Sequence, residues 1–171
     1  MISKKLLFAL GIVIALGILF FLHSKHISPK SATQGNFAPN FTVSQLRGAP
    51  LELATYRGRV VLLDFWATWC EPCRQEIPQF ITLQRKYGPD GLQIIGVSMD
   101  DTPEPVRDFC KQFDMNYPVV MGNANIGELY GGVLGLPIAF LIGRDGRIDA
   151  KHIGAVDIPL MEKEIMKLLQ R

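Results

Sequence analysis

Two cysteines three positions apart, Cys70 and Cys73, have the most specific chemical use of any residues in this chain. They follow an apolar run that reads as a buried strand, Val60 to Trp66, and open a segment that reads as a helix from near Pro72 to Tyr87, with Gly88 as its stop. A cysteine at a helix N-terminus meets unpaired N–H groups and a partial positive charge, and both favour its thiolate. From there Cys70 can attack a partner disulfide, and Cys73, one turn on, can resolve the mixed disulfide. Pro72 suits the first helical turn, where its missing N–H costs little. The competing reading is half of a zinc site, but Cys110 and His152 are not spaced as a second ligand pair. Covalent haem attachment needs histidine directly after the second cysteine, and Arg74 stands there.

Elements that position the pair can be read on either side of it. Phe41 to Val43 and Leu51 to Leu53 flank a Gly48-Ala49-Pro50 turn as a short leading hairpin. Leu92 to Val97 is a second buried strand. Asp101 to Phe113 is a helix, with Thr102 able to cap it and Pro103 in its first turn. Pro118 to Met121 is a third strand and Asn125 to Tyr130 a short helix. Ile138 to Ile142 and Arg147 to Ile153 form an antiparallel hairpin about Arg144-Asp145-Gly146, and Ile158 to Leu169 closes as an amphipathic helix. This order predicts an α/β fold with a mixed central sheet and helices on both faces. Cys110, at helical spacing with Val106, Phe109 and Phe113, is expected to be a buried apolar residue. His23, His26 and His152 are given no role.

Composition narrows the function classes. With 171 residues the chain holds one ordinary domain and an appendage. Eighteen basic and sixteen acidic residues give a net charge of +2, too little for a nucleic-acid binder held by a basic field. A 48% apolar and 20% charged chain is not disordered, and three cysteines are too few for a disulfide miniprotein. The acids all lie at Glu52 or later, so the positive charge belongs to the N-terminal segment.

After Lys4 and Lys5, Leu6 to Leu22 contains only apolar residues and glycine. As a helix this run is about 26 Å long, slightly short of a ~30 Å hydrocarbon core, and flanking lysines can snorkel. A cleaved signal peptide is the alternative, but no convincing small-x-small site follows. The expected organisation is a cytoplasmic stub at 1–5, a transmembrane anchor at 6–22, a polar linker at 23–36 and a folded domain at 37–171.

The stretch Asp64-Phe65-Trp66-Ala67-Thr68-Trp69-Cys70-Glu71-Pro72-Cys73, with Pro78 beyond it, resembles the active-site stretch of thioredoxins. Ala38-Pro39-Asn40-Phe41, Arg57 to Leu62, and Gly135-Leu136-Pro137 before Phe140-Leu141-Ile142 resemble the TlpA/ResA/DsbE group of membrane-anchored thioredoxin-like proteins. The resemblance implies a thioredoxin fold with an N-terminal β-hairpin and a central βα insert around residues 99–121. It also implies thiol-disulfide exchange outside the cytoplasmic membrane, facing the periplasm or its equivalent. No cofactor beyond a redox-active Cys70–Cys73 disulfide and no metal are implied. The implied partners are protein disulfides, such as those of apocytochrome c in cytochrome c maturation, and a membrane-embedded thiol electron donor.

Individual roles follow from the resemblance residue by residue. Pro137 matches a cis-proline that faces the dithiol, and Leu136 before it matches the position whose backbone pairs with substrate. Trp69 matches a residue flanking the partner surface, whereas Trp66 is expected in the core. Glu76 matches an acidic residue near the dithiol, and by spacing it lies one turn after Cys73. Asp64 departs from the ResA-like pattern, where asparagine is commoner, and matches the thioredoxin aspartate. A lone carboxylate in a buried strand is costly to ionise, so Asp64 is expected to titrate high enough to exchange a proton with Cys73. Glu71 raises the cost of the Cys70 thiolate and favours a reductant, by about tens of millivolts.

Two other classes compete. A thiol peroxidase on the same fold is disfavoured because peroxiredoxins place threonine three residues before the reactive cysteine, and Ala67 stands there. A redox-inert or metal-carrying module would hold copper or zinc on Cys70 and Cys73 without disulfide exchange.

Overall fold

The structure, a computed structural model, describes residues 35–171. The stub, the anchor and all but the last two residues of the expected linker lie outside the described residues. Among the described residues no helix is long and apolar enough to cross a membrane.

A two-stranded antiparallel hairpin comes first, β1 (Thr42–Val43) with β2 (Leu51–Glu52), followed by a 3-10 turn at Leu53–Tyr56. The body then runs β3 (Val60–Trp66), α1 (Glu71–Tyr87), β4 (Leu92–Ser98), α2 (Pro103–Gln112), β5 (Val119–Met121), α3 (Ala124–Leu129), β6 (Ile138–Ile142), β7 (Ile148–Ile153) and α4 (Ile158–Leu169). The main sheet has the order β5-β4-β3-β6-β7, with β3, β4 and β5 parallel and β6 and β7 antiparallel to their neighbours. Residues 99–121, where an insert was expected, supply α2 and edge strand β5.

Strand β3 is buried along its whole length because both its faces are covered. Val60, Leu62 and Trp66 pack with Ile77 and Phe80 of α1, Phe109 of α2, and Met161 and Ile165 of α4. The alternate residues Val61, Leu63 and Phe65 pack with Leu51, Ile126, Tyr130 and Phe140. Each fully buried large apolar side chain contributes about 1.5–3 kcal/mol. By alternation Asp64 falls on the α1 face, between Leu62 and Trp66.

The local signals differ in outcome at one helix start. Thr102 occupies the N-cap of α2 but its side chain makes no capping bond. The residue three positions on, Pro105, has no N–H to donate. Asn123 and Asp157 do cap, accepting at 2.9 Å from Ile126 N and Leu160 N at the starts of α3 and α4.

Both sheet edges are met by the N-terminal segment. Leu46 N donates to Val119 O at 3.0 Å beside β5. On the other side Gly35 N donates to Ile148 O at 2.7 Å, Ile148 N to Asn36 O at 2.9 Å, and Ala38 N to Gly146 O at 2.9 Å. Phe37 lies between two guanidinium groups, 5.2 Å from Arg57 and 4.1 Å from Arg147 to the ring centre. The nearby Gly146 has φ +79, a left-handed backbone conformation that favours glycine.

Candidate active site

Strand β3 ends at Trp66, and the chain turns through residues 67–70 into α1. Asp100 holds that turn: its carboxylate accepts Thr68 N at 2.9 Å, the Thr68 hydroxyl at 2.5 Å and the Ser98 hydroxyl at 2.8 Å. Met99 N adds a bond to Trp66 O at 2.8 Å. These contacts tie the end of β4 to the segment that delivers Trp69 and Cys70.

Cys70 is the N-cap of α1, and its sulfur accepts from Cys73 N at 3.3 Å. The two cysteines form a disulfide with Cα atoms 5.3 Å apart. That N–H and the helix terminus face the sulfur where a thiolate would develop on reduction. Pro72 is in the first turn, as expected. Glu71 is largely solvent-exposed and lies 4.0 Å from Arg74, so its charge is both screened and opposed.

A surface groove beside Cys70 is lined by Trp69, Pro72, Met99 and residues 133–136. Trp69 is 68% exposed and Leu134 98%, so large apolar side chains stand in water on both sides of the sulfur. Across the groove the Leu136–Pro137 peptide is cis, at the head of β6. Pairing of Phe65 with Ile138 brings that peptide level with the end of β3.

On the face of β3 that α1 covers, the structure brings together the two carboxyls singled out in the sequence, Asp64 and Glu76, the latter one turn beyond Cys73 on α1. Asp64 is 2% exposed and Glu76 5%. Burial, and secondarily the Glu76 charge, push the Asp64 carboxyl well above the usual carboxylate range. Burial also raises Glu76, opposed by the Val156 N–H that it accepts and by His152. Asp64 Oδ1, Glu76 Oε2, Trp66 Nε1 and Tyr117 Oη are buried without a hydrogen-bond partner among the described residues. Glu76 is therefore an interior group and not a solvated surface acid.

Cys110 is buried and unpaired, and burial pushes its thiol up to about 11, far from a reactive thiolate. Among the described residues no cluster of three or more His, Cys, Asp and Glu side chains could hold a metal ion. Sequence reasoning missed Asp100 and His152. Asp100 carries no local signature beyond following a strand, and His152 reaches the site only through pairing across the sheet.

Residues 34–151 match the AhpC/TSA family. The thiol-disulfide oxidoreductase ResA of Bacillus cereus (strain ATCC 10987 / NRS 248) is 35% identical over 171 residues, 97% of this chain and 98% of that one. The thioredoxin-like protein YneN of Bacillus subtilis (strain 168) is 33% identical over 135 residues, 77% of this chain and 78% of that one. Among solved structures, one named as a thiol:disulfide interchange protein DsbE from Chlorobium tepidum superposes with a TM-score of 0.77 at 34% identity. That superposition covers 81% of this chain and 99% of the other. The dithiol at a helix start, the thioredoxin fold around it and these likenesses agree: the chain belongs to the AhpC/TSA family and is a thiol-disulfide oxidoreductase of the ResA/DsbE type.

Proposed function

We propose that the chain is a membrane-tethered, extracytoplasmic reductant of protein disulfides. Reduced Cys70 attacks a substrate disulfide, and Cys73 then attacks Cys70 Sγ and releases the substrate as a dithiol. One observation carries this reading: Cys70 borders a water-exposed apolar groove, and the helix it caps carries Glu76, buried beside Asp64. The groove suits an unfolded or extended polypeptide, and the carboxyls suit the proton that Cys73 must lose to attack.

The reducing direction rests on Glu71 and on the family resemblance, with Arg74 limiting what Glu71 contributes. A cysteine pair of apocytochrome c is the substrate class the resemblance favours, and a membrane-embedded thiol the electron source. For the tether, Leu6 to Leu22 supplies the apolar length, and the likeness to ResA leaves only a few residues of this chain outside it.

Trapping tests the proposal. Cys73→Ser in membranes should hold the substrate covalently on Cys70. Capture of c-type apocytochrome supports the pathway, whereas a spread of unrelated exported proteins would replace it with general disulfide exchange.

The AhpC/TSA match favours a second reading, a thiol peroxidase. Ala67 offers no hydroxyl at the position where peroxiredoxins carry threonine. Rapid peroxide consumption by reduced protein would revive that reading.

A further inference from the structure

A row of five register partners crosses the main sheet under α1: Val119, Gly96, Asp64, Ala139 and His152. Register partners share a face, so His152 stands on the side that carries Asp64, with the small Ala139 between them. Gly96 on the other side is also small, and a Cβ there would meet Trp66 Nε1 at 2.9 Å. The row is lowest around Asp64, where the helix carrying Cys73 and Glu76 packs over it.

Glu76 is also fixed toward β7. Its Oε1 accepts Val156 N, in the segment joining β7 to α4, while Oε2 has no partner among the described residues. His152, near the end of β7, is close enough for its charge to act on the Glu76 carboxyl. The imidazole is held from its outer side by Glu164 of α4, Nε2 to Oε2 at 2.8 Å. Exposure rises along this series: Glu76 is buried, the His152 side chain is 18% exposed and that of Glu164 27%.

We propose that His152, held by Glu164, is a positioning residue that passes protons between the buried Glu76 carboxyl and water and keeps that carboxyl ionisable for the dithiol. This deepens the oxidoreductase reading and rests on it. When the reduced protein gives up its electrons, the Cys70 thiolate bonds to one substrate sulfur and the other leaves as a thiolate. Cys73 then loses its proton to the carboxyl pair and bonds to Cys70 Sγ, expelling the first substrate sulfur as a second thiolate. Two electrons pass to the substrate and one proton remains in a site closed to water. The imidazole takes that proton from Glu76 and releases it at the Glu164 side; protein reduction runs the route backwards. Histidine suits this relay because its two ring nitrogens can each bind or release a proton.

The charged groups around His152 are Glu76 from α1 and Glu164 from α4, with Asp64 of β3 on the same sheet face beyond Ala139. Neighbouring Lys151 points to the other face, its ammonium 5.1 Å from the Phe140 ring centre. Loss of the imidazolium leaves burial of Glu76 opposed by Val156 N–H alone, so its carboxyl stays protonated to higher pH.

The test follows exchange of the full-length chain with the glutathione couple, in both directions, by tryptophan fluorescence from about pH 5 to 9. In His152→Gln the acid limb should move up by about half a pH unit or more, and Glu164→Gln should move it the same way by less. Each profile is read as the position of this limb relative to its own alkaline plateau. Profiles that superpose on the parent, or that fall by one factor at every pH, overturn the proposal. Should His152→Gln fail to fold, Glu164→Gln alone decides by the same criteria. Direction does not enter this readout, so a protein that proves to be an oxidant sinks the reductant reading and leaves this test intact.

Discussion

Thr68 gives both its backbone N–H and its hydroxyl to one carboxylate, that of Asp100, at 2.9 and 2.5 Å. The pair joins the end of β4 to the turn that aims Trp69 and Cys70. Asp100→Ala would remove the acceptor of the Thr68 N–H, the Thr68 hydroxyl and the Ser98 hydroxyl in a partly buried site, at a cost of about 1–3 kcal/mol. We expect a lower urea midpoint together with slower disulfide exchange; a stability loss without any loss of rate would show that the turn needs no such support.

The nucleophile is the next test. Cys70→Ser should lower reduction of a model protein disulfide by at least about 100-fold, because no other thiol stands at a helix start. Full dithiol-dependent activity in that variant would overturn the assignment of Cys70.

Asp64 should set a slope in the stability curve. A carboxyl whose folded pKa lies above its unfolded value stabilises the fold below the unfolded pKa, and that stability disappears as pH rises through the folded pKa. Within this window the folded state binds the extra proton, so unfolding free energy falls with pH. Asp64→Asn should flatten the slope and raise stability at pH 8 by about 1–3 kcal/mol. Urea unfolding of the oxidised protein at several pH values checks this; an undiminished slope would move its origin to Glu76.

Glu76→Gln can keep its bond from Val156 N but cannot take a proton. Resolution of the mixed disulfide should slow by about 10–100-fold near neutral pH, measured by stopped-flow exchange with glutathione disulfide. An unchanged rate would leave Asp64 as the sole acceptor.

Leu134→Glu should separate binding from chemistry. The side chain is almost wholly in water, so the fold should tolerate the change, while KM for a protein disulfide should rise by the equivalent of about 1–2 kcal/mol. Exchange with glutathione, too small to span the groove, should not change.

The strands, the start of the long helix and the reactive pair were legible because each is written in adjacent residues: the Val60–Trp66 run, Pro72, and the Cys70–Cys73 spacing. The same locality explains the burial of Cys110 and Ile77. The failures lie where the deciding partner is distant or chemically unusual. Thr102 reads as a cap until Pro105 is seen to lack the donor. The spacing of Glu76 gives its place on the helix but not its burial, which the bond from Val156 in the β7–α4 connection accompanies. Asp100 and His152 have no local pattern; they acquire a role only from a turn 32 positions away and from strand pairing through Ala139.

The clasp of Phe37 by Arg57 and Arg147 has a consequence for orientation. It sits by the Arg144–Gly146 turn, at the opposite end of β3 from Cys70. Seven residues of β3 separate the two, a stand-off of about 23 Å. A substrate bound across the Trp69–Leu134 groove is thus engaged a full strand's length from that clasp.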